Sequence, residues 1–151
     1  MKQLPQIKSG YDQLLGFWQR EATVLSQAGR TAELNKLGES RDVLERGIFI
    51  LMFGQFESAC DDRFQRAKDK RTANTDWTRR RGWDAASLQG KKVPFETKLS
   101  MVMDKKSATF KKVLDTYAIR NHCAHGGTTI PVGSIAALEA QLYQWHRELK
   151  V

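Results

Sequence analysis

The chain has 151 residues, a hydrophobic fraction of 40% and two cysteines, enough for one self-supporting core but too few thiols for a disulfide framework or a zinc clamp. A formal charge of +8 and a pI near 9.7 point to an anionic partner, with nucleic acid ahead of a membrane surface. Met1-Lys2-Gln3-Leu4-Pro5 leads into no apolar stretch of signal-peptide type and no apolar run reaches membrane-spanning length, so one cytoplasmic domain over residues 1–151, with no membrane attachment, is expected.

Sparse proline and long stretches of helical periodicity predict an all-α fold, an antiparallel bundle of four to five helices. A first helix is predicted from about Ile7 to Leu37, with Leu14, Phe17, Trp18, Leu25 and Leu34 on its apolar side. Gly29 would loosen its second half and Gly38 would end it. A second helix, from about Arg41 to Arg71, carries Phe49, Phe53, Phe56, Cys60 and Phe64 at the three-and-four spacing of one buried face. Gly47, Gly54 and Asp61 form a neighbouring stripe suited to close approach of another helix, and Glu57 lies between the two stripes. Thr72 to Lys92 breaks the pattern with Asn74, Asp76, Gly82 and Gly90 and reads as a loop with room for a short helix. A short helix around Phe95 to Met103 follows. The next helix, about Ser107 to Cys123, turns Phe110, Val113, Leu114 and Tyr117 inward. Gly126-Gly127 stops it, Thr128 to Gly133 makes a turn, and Ser134 caps a last helix bearing Ile135, Leu138, Leu142, Trp145 and Leu149.

The chemistry-bearing stretch is Arg120-Asn121-His122-Cys123-Ala124-His125-Gly126. Asn121 and His125 are one helical turn apart, so they share a side if the helix persists that far. Metal-free RNA cleavage needs a group that takes a proton from the 2′-hydroxyl as it attacks its own phosphate. Imidazole is the side chain that ordinarily titrates near neutrality. A fixed cation must meet the charge gathering on the phosphoryl oxygens, and a guanidinium presents a planar fork that matches them. An amide at Asn121 can orient the histidine or hold a phosphate oxygen. One histidine serves poorly as both base and acid in a single step, and a two-fold dimer would supply it twice. His122 is the competing second group in the same chain.

At these residues the chain resembles the HEPN superfamily, whose signature is Arg, four to six residues, then His, often with Asn directly after the Arg. Here Arg120 and His125 enclose four residues, Asn121 takes the polar position and Gly126 follows the histidine. The likeness extends over about Ile48 to Leu149: the motif closes a penultimate helix, an amphipathic helix follows, and an acidic residue, Glu57, stands late in the second helix. The resemblance implies a helical bundle that dimerises to bring two motifs into a basic cleft. It also implies a metal-independent endoribonuclease of toxin–antitoxin, phage-defence or RNA-processing type, acting on tRNA or mRNA and having an antitoxin or defence partner. Some members have lost activity, so an inactive module binding RNA, a nucleotide or a partner protein is the alternative. On this reading Arg120, Asn121, His125 and Glu57 form the catalytic set, and no cofactor or metal is needed.

Each of these residues also has a structural reading. A cation at a helix C-terminus is favoured by the dipole alone, although that leaves Asn121 and Gly126 unexplained. Glu57 either pairs with Arg120 or marks where the helix becomes solvated, since Asp61, Asp62 and Arg63 follow. Cys123 reads as a small packed residue. From Arg63 to Lys112 there are six arginines and nine lysines against four aspartates and one glutamate, a net +10. There, Arg79, Arg80, Arg81, Lys91 and Lys92 are expected to neutralise RNA phosphates. Trp77 and Trp83 either stack an unpaired base or belong to the core. A helical DNA-binding regulator is disfavoured, because no helix-turn-helix spacing stands out.

Overall fold

The computed structural model describes residues 1–88, 93–127 and 135–150. Six helices occupy them: α1 (Leu4–Gln27), α2 (Thr31–Thr72), α3 (Trp77–Leu88), α4 (Phe95–Val102), α5 (Ala108–Ala124) and α6 (Ile135–Glu148), with no strand among the described residues. The all-α expectation holds. No helix of the described residues is long and apolar enough to cross a membrane.

The break between the first two helices falls earlier than the sequence suggested. Gly29 adopts φ +66° and terminates α1, while Gly38 lies inside α2. The amide of Arg30 bonds to the carbonyl of Leu25 at 2.9 Å and that of Gly29 to Ser26 at 3.1 Å, the paired closing bonds of a Schellman motif. A glycine stops a helix where its positive φ can be used in this way, and a glycine with ordinary φ is carried through. The buried residues of α1, Leu4, Tyr11, Trp18 and Leu25, recur every seventh position. That stripe ends at Leu25, which is where the chain turns. Leu14 and Phe17, assigned to the apolar side, are exposed instead.

The central column is α2, which packs against each of the other five helices. Its buried face is the expected one, since Phe49, Phe53, Phe56, Cys60 and Phe64 are all sealed. Each ring recruits a different neighbour. Phe53 stacks on Tyr117 of α5 and meets Phe95 of α4, both with centroids at 6.2 Å; Phe56 meets Trp145 of α6 edge-on at 5.8 Å; Phe64 stacks on Trp83 of α3 at 6.2 Å. Such pairs contribute about 0.5–1.5 kcal/mol beyond their burial. They also fix which helix lies beside which turn of α2. Antiparallel α1 covers the other flank, with Gln3 bonded to Gln55 and Tyr11 to Glu45.

Gly47 and Gly54 have open space where a Cβ would be, so among the described residues no helix packs closely on these two glycines of the small-residue stripe. The stretch read chiefly as a loop, from Thr72 onward, contains α3. Asp76 caps it, its carboxylate accepting the amide of Thr78 at 2.9 Å, and Asn74 accepts that of Asp76 at 2.9 Å. Residues typical of loops are therefore the start signal of a helix here. Ser107 caps α5 through the amide of Phe110 at 3.0 Å. In the last helix Ile135, Leu138, Leu142 and Trp145 are buried, with Leu149 just beyond it. The turn over 128–133 and the cap assigned to Ser134 lie outside the described residues.

Candidate functional site

The site begins with the packing of α5 on α2. Phe53 and Tyr117 stack, and Phe95 lies on the same tyrosine with centroids at 4.5 Å. Glu57 follows Phe53 by one turn of α2, and Arg120 follows Tyr117 by about one turn of α5. Ring stacking thereby sets the register at which carboxylate and guanidinium meet. Glu57 Oε2 lies 3.3 Å from Arg120 Nε. Both side chains are mostly buried, with 22% and 27% of their surfaces exposed.

This contact is coulombic in character. Among the described residues Arg120 Nε has no hydrogen-bond partner, so the Glu57 oxygen stands near the N–H without being aligned to accept it. The guanidinium instead donates through Nη1 to Asn121 Oδ1 at 3.0 Å. The sequence offers Asn121 two tasks, orienting the histidine or holding a phosphate oxygen; its side-chain oxygen instead accepts from the arginine and makes no bond to the histidine ring. Burial pushes the Glu57 carboxyl above its ordinary range; Arg120 pulls it down, Asp61 pushes it up and Lys98 pulls it down. Burial outweighs the arginine, in keeping with a contact that lacks hydrogen-bond alignment.

The neighbouring turn of α2 repeats the arrangement. Asp61 accepts from Lys98 of α4 at 2.8 Å, so two acids one turn apart are met by two cations from two helices. Lys98 is not among the site residues expected from sequence, and Asp61, expected in the small-residue stripe, is its partner. Two carboxylates at i and i+4 beside a phenylalanine face were the available signal, since charges in such a place need partners. Cys60, between them, is sealed, and burial pushes its thiol well up, so it is no nucleophile.

His125 is the C-cap of α5. Beyond it Gly126 takes φ +89°. The amide of Gly127 bonds to the carbonyl of His122 at 2.9 Å and that of Gly126 to Cys123 at 3.3 Å, a second Schellman motif. Gly127 is approached in a different way: the His122 ring lies where a Cβ would go. His122 is thus engaged with the turn. The His125 ring is exposed, and among the described residues no side chain bonds to it. Cys123, buried between the two histidines, anchors the end of the helix.

The basic residues of α3 separate. Arg80 belongs to the fold, donating to Asp84 at 2.9 Å and to the carbonyl of Asn74 at 3.1 Å. Arg79 is largely exposed and lies 3.3 Å from Asp76. Arg81 lies over the Trp77 ring, 5.7 Å from its centroid. The tryptophans divide as well: Trp83 packs on Phe64 at the core, whereas Trp77 is 61% exposed. Lys91 and Lys92 lie outside the described residues. No cluster of three or more His, Cys, Asp or Glu side chains among the described residues is placed to hold a metal ion.

No family model matches this chain, and no curated protein or solved structure matches it. The described residues form an all-helical protein with a polar helix end held beside one mostly buried glutamate.

Proposed function

We propose that the chain is a metal-independent endoribonuclease of HEPN type, with its site at the end of α5. The observation that carries this reading is the division of labour there: Arg120 is held by Glu57 and Asn121, while His125 at the same helix end is exposed, with no side-chain partner among the described residues. A guanidinium held from two sides offers its remaining donors to a phosphate at little ordering cost. An exposed imidazole is placed to take the proton of a 2′-hydroxyl. In the cleavage step the 2′-oxygen attacks phosphorus as His125 accepts its proton. Arg120 neutralises the phosphorane oxygens, and the 5′-oxygen leaves after protonation by a second acid. Glu57 and Asn121 act as positioning residues for Arg120.

The second acid is best supplied by His125 of another copy, which makes the active form a homodimer. Leu51 is 59% exposed on α2, and with Gly47, Gly54 and Ser58 it lies on one uncovered face beside Glu57, so a second α2 can approach next to the site. RNA, as tRNA or mRNA, fits the positive charge from Arg63 to Lys112. A toxin or phage-defence setting, with its antitoxin or defence partner, follows from the motif's resemblance and belongs to the same proposal.

Cleavage of a labelled RNA by wild type, Arg120→Ala and His125→Ala, with and without chelator, tests the reading. Activity in wild type alone, indifferent to chelator, is expected; full activity in His125→Ala sinks it. One observation favours the alternative of a non-catalytic binding module: Trp77 and Arg79 of α3 are exposed binding groups that cleavage at the end of α5 does not itself use. Salt-sensitive RNA binding without cleavage by any variant would make that the better account.

A further inference from the structure

We propose that Trp77, with Arg81 and Arg79, forms a stacking platform for an unpaired base of single-stranded nucleic acid on α3. Four observations converge. Trp77 is the most exposed of the large apolar residues on the described surface, at 61%, although an indole in a helix ordinarily finds cover. Its partner in sequence, Trp83, is packed on Phe64, so α3 has its anchor without Trp77. Arg81 lies one turn later over the indole at 5.7 Å, a cation–π contact that orients the ring and sets a positive charge beside it. Arg79 is 74% exposed and shares only Asp76.

The charge around this helix selects the occupant. From Arg63 to Leu88 there are eight arginines and lysines against three aspartates. Arg80 and Asp84 neutralise one another within the fold. An acidic polymer is complementary to such a surface. One that also carries flat aromatic groups uses the indole, and single-stranded nucleic acid has both properties while duplex hides its base faces. Trp77 begins the helix, directly after the Asp76 cap, so its ring stands at an end where a strand can pass. α3 and Arg120 both rest on α2: Phe64, which holds α3, is seven residues beyond Glu57, about 10 Å along the axis. The platform deepens the ribonuclease reading by naming unpaired RNA as the form engaged, and it does not require His125 to be chemically competent.

The test uses the full chain carrying His125→Ala, so that RNA survives, with a fluorescein-labelled 12-nucleotide oligouridylate and a duplex of equal length as probes (about 12 nucleotides exceeds the footprint of one stacking surface). The single strand is expected to bind more tightly and to quench the emission of the exposed indole. Trp77→Ala should weaken single-strand binding by about 5- to 100-fold and duplex binding little, while Trp77→Phe retains most of it. Equal binding of strand and duplex, an unchanged Trp77→Ala, or tighter binding of polyglutamate than of the oligonucleotide overturns the platform. Quenching in the unmutated tryptophan background keeps the test open should Trp77→Ala fold poorly. A chain with His125 intact that never cleaves, yet binds through Trp77, removes the ribonuclease reading and supports this one.

Discussion

The end of α5 and the helix α3 are both cationic, and they are held in different ways. At the end of α5, Arg120 is mostly buried and its partners come from two helices: Glu57 from α2 and Asn121 from its own helix. On α3 the contacts of the arginines are local. Arg79 reaches three residues back and Arg80 four residues on, while Arg81 lies over a ring four residues earlier. The first arrangement depends on tertiary packing and holds a charge partly shielded from water, where it is worth more to a reacting phosphate than a fully solvated one. The second is solvated and screened by salt, and it suits attraction and guidance of a strand. Positioned charge is the means of chemistry here, and exposed charge the means of capture.

Substitutions separate the two regions, and the largest effect is expected at the end of α5. His125→Ala should lower RNA cleavage by at least about 100-fold, the usual minimum for loss of a general acid–base group, with thermal stability unchanged because the ring is exposed. Arg120→Ala should abolish cleavage and also cost about 1–2 kcal/mol by urea titration. That range lies between an exposed ion pair and a fully buried one, since Glu57 is left without its cation. Equal cleavage by either variant and wild type removes the chemistry assigned to this site.

Gly126→Ala comes next. A side chain at φ +89° costs about 1–2 kcal/mol, and relief by fraying the last turn would displace His125. Lower melting temperature together with lower kcat is expected. A change in KM alone would place His125 among binding groups.

Glu57 gives the comparison a pH dependence. Its carboxyl titrates above the ordinary range in the folded chain, chiefly through burial, so the folded state holds a proton that the unfolded state has released. Stability is therefore highest below the ordinary carboxylate value and falls as pH rises through the elevated one. Glu57→Gln should remove that fall in the urea midpoint. In cleavage assays the same variant should flatten the acidic limb of the pH–rate profile, because protonated Glu57 no longer attracts Arg120. An identical profile in Glu57→Gln would show that the pair has no part in activity.

The smallest effect is expected on α3. Arg79→Gln should leave kcat unchanged, raise KM a few-fold, and reduce the slope of log affinity against log salt by about one unit. A loss of kcat there would blur the distinction between capture and chemistry.

Much of this architecture was legible from spacing, and its failures have specific causes. The face of α2 followed from Phe49, Phe53, Phe56, Cys60 and Phe64, because a helix packed on one side must repeat apolar residues every three or four positions. The stop after α5 followed from Gly126-Gly127, and α6 from its buried stripe. Gly29 and Gly38 were assigned the wrong way round, because residue type alone does not say which glycine takes positive φ. The seven-residue recurrence ending at Leu25 carried that information. Trp77 and Trp83 are indistinguishable by composition, and Phe64 decided between them by covering one.

From the chain alone came the helical class, the buried face of α2, and the Arg120, Asn121 and His125 grouping, since each rests on neighbours within a turn or two. Tertiary structure decided that Glu57 meets Arg120, that Lys98 meets Asp61, and that Trp83 is packed on Phe64 while Trp77 is left exposed. The ion pairs among these join helices distant in sequence, and their register comes from the stacking of Phe53, Phe95 and Tyr117. Periodicity tells which face of a helix is buried. Only packed side chains determine which residue of another helix lies opposite it.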